Sequence, residues 1–253
     1  MTGLEMAAVL IAGVAAGTVN TIVGSGTLIT FPVLLAVGYP PVLANVTNTV
    51  GLTPGSVSGA YGYRAELSGQ RRRLVTLGLV SVLGGLTGAI LLLTLPAGAF
   101  RAIVPVLIAI SLVLVLLQPR LARRLHGAPD QTPGGDRGRI GLHLGVYGSG
   151  IYGGYFGAAQ GVLLVGLLGL FLRESLQRIN GAKNVLAALV NGTAALVFLA
   201  VTDVAWRAAA LIAVGSVVGG QLGASIGRRV PDLALRALIV VVGTSAILKI
   251  VLD

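Results

Sequence analysis

Apolar runs divided by short polar connectors make up most of the chain. A helix needs roughly 20 apolar residues to cross a bilayer, and eight runs approach that length. They cover residues 4–22, 42–63, 74–95, 98–118, 139–156, 181–202, 206–226 and 232–252. Two shorter runs, 26–38 and 160–172, each follow a glycine-rich break. The pattern predicts an all-α, polytopic membrane protein.

The second half of the chain repeats the first. The motif Gly-Gly-x-x-Gly-Ala at 84–89 recurs at 219–224, and a proline with an arginine five residues later recurs in the same way. Duplicated halves in an apolar chain are typical of transporters, because the halves create a site at their interface. We predict two membrane repeats, residues 1–118 and 139–253, joined by a polar connector over residues 119–138.

Basic residues lie mainly in the connectors. The net charge of +10 therefore favours a positive-inside topology signal over nucleic-acid binding. The connector at 64–73 is rich in arginine, whereas its equivalent at 203–207 has one acidic and one basic residue. The turn at 39–41 is uncharged, whereas its equivalent carries Arg173 and Arg178. Equivalent connectors are thus expected on opposite sides of the membrane, which gives the repeats inverted topology.

Inverted topology requires an odd number of crossings in each repeat. An opening helical hairpin with a glycine-rich break, followed by three spanning helices, meets this requirement. The hairpins are residues 4–38 and 139–172. The connector 119–138 is then cytoplasmic and both termini lie outside. No basic segment precedes the first run, so we expect it to remain in the mature protein.

The two breaks are candidates for a site, because bare backbone at membrane depth is tolerated only where it is buried in protein or lines a cavity. They contain Gly24, Ser25, Gly26 and Thr27 in the first half, and Gly157, Gln160 and Gly161 in the second. A helix that begins after a break offers free N–H groups and a positive dipole end, which suits an anion. The glycines alone would equally fit tight helix packing, but their equivalent places in both halves favour a site.

A polar cluster opens the segment after each hairpin. Helix capping accounts for Asn45 and Asn180, the first asparagine of each cluster. Asn48 and Asn184, which alignment from the hairpins pairs, lie inside the apolar runs, as does the deeper Asn191. Amides there need partners, which are either neighbouring helices or a polar substrate.

Lys183, which the same alignment pairs with Thr47, is the one cation inside such a cluster. One interpretation is a lysine that snorkels toward the basic side near Arg178. The other is a point charge for an oxyanion beside the glycine-rich amides. Arg101 and Arg236 hold matching positions early in the last helix of each half, within snorkelling range of the interface, so we expect a structural role for both.

The positions of the acidic residues exclude several functions. All of them lie in connectors or near helix ends: Glu5, Glu66, Asp130, Asp136, Glu174, Asp203, Asp232 and Asp253. No carboxylate is therefore placed for a proton relay, a metal cage or paired-carboxylate catalysis. The chain has no cysteine and 2 methionines, so a soft-metal route lacks ligands. We expect no enzyme activity, no catalytic residue, no metal and no cofactor.

Taken together, these features resemble the sulfite exporter TauE/SafE family of bacterial membrane permeases. The resemblance is carried by residues 17–32, which include Asn20 and the first break, by 38–48, by the repeated glycine motif and by 178–184. It implies transport of small anions, with sulfite, sulfoacetate and organosulfonates as typical substrates. The second hairpin departs from the family pattern, because its break reads Gly-Ala-Ala-Gln-Gly and offers the side chain of Gln160 as a donor.

We therefore expect a permease for a small oxyanion, sulfite or an organosulfonate, in the bacterial plasma (inner) membrane, working by alternating access. The expected substrate-binding residues are Asn20, Gly24, Ser25, Gly26, Thr27, Thr47, Asn48, Gly157, Gln160, Gly161, Asn180, Lys183 and Asn184. The alternatives are a transporter of a cation or neutral metabolite, and a membrane scaffold that transports nothing. The expected partners are the anion and the lipid bilayer, without nucleic acid. The oligomeric state stays open, with a homodimer as one arrangement.

Overall fold

The computed structural model describes residues 1–126, 136–172, 174–226, 240–241 and 244. Within these ranges it defines nine α-helices, one 3-10 helix and no strand, which confirms the all-α prediction. The α-helices are α1 (Gly3–Ile22), α2 (Thr27–Ala36), α3 (Pro41–Gly62), α4 (Arg71–Thr94), α5 (Ala97–His126), α6 (Asp136–Tyr155), α7 (Gln160–Phe171), α8 (Leu176–Val201) and α9 (Trp206–Ile226). The 3-10 helix, Arg64–Leu67, lies between α3 and α4.

The helices are those of a polytopic membrane protein. Among the described residues, α1, α4, α5 over 98–117, α8 and α9 are long and apolar enough to cross a membrane. At 22 residues α3 is also long enough, and its polar residues Asn45, Thr47 and Asn48 are buried inside the protein. Each predicted apolar run up to residue 226 corresponds to one helix. The last predicted run, 232–252, lies almost wholly outside the described residues.

Helical structure extends into both ends of the predicted connector, 119–138. Helix α5 continues to His126 and α6 begins at Asp136. Residues 127–135 between them are outside the described part of the chain. The side chain of Arg101, in the first turns of α5, is also outside it, as is Arg236.

The opening helix of each half packs against the glycine motif of the other half. Helix α1 lies along α9, and α6 lies along α4. A Cβ on Gly219 would be 2.1 Å from the carbonyl oxygen of Val14, and one on Gly88 would be 2.1 Å from that of Ile151. Because these neighbours are backbone atoms, no side chain fits there. The repeated motif is therefore a packing surface for the helix of the opposite half.

The two inner helices, α3 and α8, lie against each other and run antiparallel. Near the start of α3, the hydroxyl of Thr47 accepts a hydrogen bond of 3.1 Å from the backbone N–H of Ala205, which follows α8. Just past the end of α3, the hydroxyl of Tyr63 accepts one of 2.9 Å from the amide of Asn180, near the start of α8. Helices that the sequence pairs as equivalents thus run in opposite directions.

A charged joint connects the two halves at one end of this helix pair. Glu174, between α7 and α8, accepts hydrogen bonds from Arg73 at 3.0 Å and from Arg178 at 2.6 Å. A second group of Arg178 donates to the carbonyl oxygen of Ser68 at 3.1 Å. The arginine-rich connector of the first half therefore contacts the basic turn of the second half.

Candidate substrate-binding site

Both opening hairpins are broken where the sequence has its glycine-rich segments. Four residues separate the end of α1 at Ile22 from the start of α2 at Thr27, and four separate the end of α6 at Tyr155 from the start of α7 at Gln160. The turns use left-handed backbone at Gly24 (φ +88°), Gly157 (φ +76°) and Ala159 (φ +58°). Glycine adopts this conformation without strain. The sequence therefore accounts for the left-handed backbone at Gly24 and Gly157. Ala159 is the non-glycine residue with positive φ in the described chain.

The two breaks touch each other. The N–H of Gly161 donates to the carbonyl oxygen of Gly24 at 3.0 Å. A Cβ on Gly24 would lie 2.3 Å from the Cα of Gly161, and one on Gly161 would lie 2.4 Å from the Cα of Gly24. A Cβ on Gly157 would be 3.8 Å from the hydroxyl of Thr27. The structure thus brings residues from both halves, more than 130 positions apart, to one place.

Lys183 and Asn184 bind the carbonyl end of α1. The Nζ atom of Lys183 donates to the carbonyl oxygens of Asn20 at 3.0 Å and Thr21 at 2.8 Å. The amide of Asn184 donates to the same Thr21 oxygen at 3.2 Å. A cation at the C-terminal end of a helix is favourable, because it meets both unpaired carbonyls and the negative end of the dipole. With no exposed surface, Lys183 is not a snorkelling lysine.

Asn45 binds the carbonyl end of α6, as Lys183 and Asn184 bind that of α1. Its amide Nδ2 donates to the carbonyl oxygen of Tyr155, the last residue of α6, at 2.9 Å. The capping interpretation of Asn45 and Asn180 is wrong, because both lie inside their helices, which begin at Pro41 and Leu176. Sequence reasoning left Asn45 out of the site. Its place at the start of the first polar cluster was the available signal.

Asn48 holds the start of α2. Its Nδ2 donates to the hydroxyl of Thr27 at 3.2 Å, and its Oδ1 accepts from the hydroxyl of Thr30. Asn20 contributes from α1, since its Oδ1 lies 3.5 Å from the N–H of Gly26. These contacts order the first turn of α2 with neutral groups, without an acidic residue.

Two predicted residues lie away from the breaks. The hydroxyl of Thr47 binds Ala205 at one end of the α3–α8 pair, and Asn180 binds Tyr63 at the other. Ser56, which the sequence did not single out, joins the site's edge together with Asn191. Ser56 accepts from Asn20 at 3.2 Å and from Asn191 at 3.0 Å.

One polar side chain from each break is buried without a hydrogen-bond partner among the described residues. They are the hydroxyl of Ser25, with 0% of the residue exposed, and the Nε2 amide of Gln160, with 2% exposed. The side chain of Gln160 fits because Gly153 has none, and a Cβ there would be 2.3 Å from its Cδ. Buried polar groups are nearly always paired, so these two groups have capacity to bind a ligand.

Known proteins are similar to this chain over nearly its full length. The model of the sulfite exporter TauE/SafE family matches residues 9–250. A probable membrane transporter protein, YfcA, from Escherichia coli K12 is 27% identical over 249 residues, covering 94% of this chain and 86% of the relative. A probable membrane transporter protein from Haemophilus influenzae is 25% identical, covering 99% and 96%.

Another probable membrane transporter protein, ORF9 from a Sinorhizobium species, is 27% identical, covering 98% of this chain and 93% of its own. No solved structure matches the chain significantly. The family match covers far more than half of the chain and includes both breaks and both polar clusters. The chain therefore belongs to the sulfite exporter TauE/SafE family and is a membrane transporter, not an enzyme.

Proposed function

We propose that the protein is a permease for a small oxyanion, sulfite or an organosulfonate, which binds where the two breaks meet. The observation that carries the proposal is a difference between the two kinds of helix end at the breaks, the carbonyl ends of α1 and α6 and the amide ends of α2 and α7. The carbonyl ends of α1 and α6 are occupied by Lys183, Asn184 and Asn45. At the amide ends, the N-cap residues Gly26 and Ala159 supply no side-chain cap, and the one side-chain acceptor recorded there among the described residues is the Oδ1 of Asn20, 3.5 Å from the N–H of Gly26.

Two side-chain donors at the breaks stay free, although most backbone N–H groups in the first turns of α2 and α7 are already paired, that of Gly161 with Gly24. The positive dipole ends of α2 and α7 lie at the breaks, next to the unpartnered hydroxyl of Ser25 and amide of Gln160. Sulfite and sulfonates carry several acceptor oxygens and a negative charge, which such donors bind. A cation would meet the Gln160 amide and the positive dipole ends of α2 and α7, so the geometry favours an anion over the cation alternative. The family's description as sulfite exporters supports the sulfur oxyanion.

Helix length supports a site near the middle of the membrane. Helix α2 has 10 residues, which at 1.5 Å per residue span about 15 Å, half of a hydrocarbon core of about 30 Å. If the turn at 38–41 lies at the interface, the break lies near mid-depth. The antiparallel α3 and α8 support opposite orientation of the repeats. Alternating access would then follow from one repeat moving against the other around the breaks.

A thermal-shift screen of the purified protein tests the proposal. Sulfite, sulfate, thiosulfate, sulfoacetate, taurine and carboxylates are compared, and a bound anion raises the melting temperature in proportion to RT ln(1 + [L]/Kd). We expect Ser25→Ala and Gln160→Leu to weaken the anion-induced shift about 10-fold in Kd, as loss of one hydrogen bond to a charged group does. The melting temperature without anion should stay the same or rise, because an unpaired buried polar group is removed.

Ser216→Ala is the matched control. The Ser216 hydroxyl is equally buried but donates to the carbonyl oxygen of Gly51 at 3.0 Å. Its removal should lower the melting temperature and leave anion affinity unchanged. Unchanged anion affinity in both the Ser25 and Gln160 variants, and in Lys183→Ala with Asn48→Ala, would refute the site.

Two other outcomes identify the alternatives. Uptake into proteoliposomes that cations or neutral metabolites inhibit, and sulfonates do not, would indicate the other substrate classes. A failure of every anion in the panel to stabilise the protein would favour a membrane scaffold, in which the buried amides only hold helices together.

A further inference from the structure

The carbonyl end of α1 is built like a cation site. In transporters with broken helices, carbonyl oxygens at the end of the first half-helix coordinate the coupling ion. Here the oxygens of Asn20 and Thr21 converge on one point, and the Lys183 ammonium lies there at 3.0 and 2.8 Å. The Asn184 amide shares the Thr21 oxygen at 3.2 Å. The position is therefore already filled by the ammonium group of Lys183, which is part of α8.

The lysine side chain reaches this position between the two breaks. Its Cδ atom would be 3.0 Å from a Cβ on Gly161, so it passes directly beside the Gly24–Gly161 contact. Lys183 is fully buried. The groups that contact it are backbone carbonyls, and no carboxylate is among its recorded partners in the described chain. Carbonyl dipoles thus balance its charge only in part, and a bound anion would balance the rest.

The equivalent end of α6 lacks such a cation. There the amide of Asn45 contacts the carbonyl oxygen of Tyr155, and the residue aligned with Lys183 is Thr47, whose hydroxyl binds Ala205 elsewhere. Of the two carbonyl ends at the breaks, only that of α1 therefore binds a cationic side chain among the described residues.

We propose that Lys183 is a tethered substitute for a coupling cation, so that the site binds its anion without Na⁺. The proposal rests on the proposed function for its anion, and it adds that the counter-charge is supplied by the protein. It implies that removal of the side chain opens a site for a soluble cation at the carbonyl oxygens of Asn20 and Thr21.

Melting temperatures in Na⁺, K⁺ and choline chloride, without any sulfur anion, test the inference. The wild type should melt at the same temperature in all three salts. Lys183→Ala should melt at lower temperature in choline and recover by about 3 °C in Na⁺ or K⁺ at concentrations well above Kd. It should also recover with n-propylammonium, which replaces the removed atoms. Lys183→Met fills the space without a charge, so it should be destabilised and recover with none of these cations.

Several results would overturn the inference. A wild type stabilised by Na⁺ over choline, or a Lys183→Ala protein that responds equally to all cations, would show that no cation position exists there. If Lys183→Ala does not fold, uptake of radiolabelled sulfite by wild-type proteoliposomes tests the proposal instead. Uptake that is driven by a Na⁺ gradient would contradict it. Because the melting series contains no substrate anion, its outcome is independent of whether the anion assignment holds.

Discussion

The contact between the breaks depends on two residues without side chains. Gly24 and Gly69 both have left-handed backbone, with φ of +88° and +76°. A Cβ on Gly69 would meet nothing within 4 Å, whereas one on Gly24 would be 2.3 Å from a backbone carbon of Gly161. Alanine substitutions at the two positions therefore distinguish the free-energy cost of the left-handed backbone from that of the steric overlap with Gly161.

Gly24→Ala should be strongly destabilising and Gly69→Ala only mildly so. The left-handed conformation costs an alanine about 1–2 kcal/mol, and the steric overlap at Gly24 adds about 1–3 kcal/mol. We expect Gly24→Ala to lower the free energy of unfolding by about 2–5 kcal/mol and to abolish anion binding. Melting curves of the two variants in the same detergent measure the difference. Equal losses would show that the breaks do not touch.

Sequence reasoning predicted which side chains lie near the breaks better than it predicted their contacts. It placed Asn48, Lys183 and Asn184 near the breaks because amides and a cation inside apolar runs need partners. It could not identify those partners, because the Lys183 ammonium binds carbonyl oxygens 162 and 163 positions away. Main-chain acceptors carry no sequence signature. For the same reason Asn45 resembled a helix cap, although it holds the end of α6.

At the scale of elements, the joint between the α7–α8 turn and the start of α4 is one of the contacts between the two halves. The hydrogen bond from Arg178 keeps the pKa of Glu174 below its ordinary value; partial burial opposes this effect and Arg73 adds to it. A carboxylate with a lowered pKa stabilises the fold at pH values above its unfolded pKa. That stability is lost as the pH falls through the lowered value.

Glu174→Gln should therefore destabilise the protein at pH 7 and have little effect in acid. Partly exposed ion pairs contribute about 0–1 kcal/mol, which is a shift of up to about 4 °C for a chain of this size. The difference in melting temperature between wild type and variant should shrink below about pH 4, near the unfolded pKa of glutamate. Asp203→Asn is the control, since the structure records no ion pair between Asp203 and the described residues. A difference that is the same at about pH 3 and at pH 7 contradicts the assignment.

Helix positions followed from the sequence because apolar runs, glycine and proline mark them. The exception is the connector 119–138, where helix continues to His126 and resumes at Asp136. Polar and charged side chains do not prevent helix formation, so these two helices extend beyond their apolar runs. The sequence shows that α3 contains polar residues. Their burial between helices, as for Asn45 and Asn48, can be recognised only from the packing of the helices.

On the scale of the whole molecule, equivalent segments occupy opposite ends of the α3–α8 pair. The turn at 38–41 precedes α3 at the end where α8 finishes, and the α7–α8 turn lies where α3 finishes. This arrangement matches the charge pattern that predicted inverted topology. The sequence predicts inverted topology from the positions of its arginines. The antiparallel helices support it independently, because the Thr47–Ala205 contact at the uncharged end involves no arginine.

Cysteine labelling tests the orientation without background, because the chain contains no cysteine. We expect Pro40→Cys and Asp203→Cys to react with a membrane-impermeant maleimide in intact spheroplasts. Ser68→Cys and Ser175→Cys should react only after the membrane is permeabilised, because basic connectors stay in the cytoplasm. All four residues are exposed in the structure. If Ser68→Cys and Asp203→Cys react from the same side, the repeats are parallel and alternating access between inverted halves is excluded.

The packing of α1 against α9 has a consequence for biosynthesis. Gly17 faces the backbone of Ser216, and the ribosome needs about 10–40 s to translate the roughly 200 residues between them at 5–20 residues per second. During that time α1 sits in the bilayer with its glycine face covered by lipid or by the insertion machinery. Nascent chains that stall before α9 would present this face to quality-control proteases, so translation speed across the middle of the message should set how much transporter a cell accumulates.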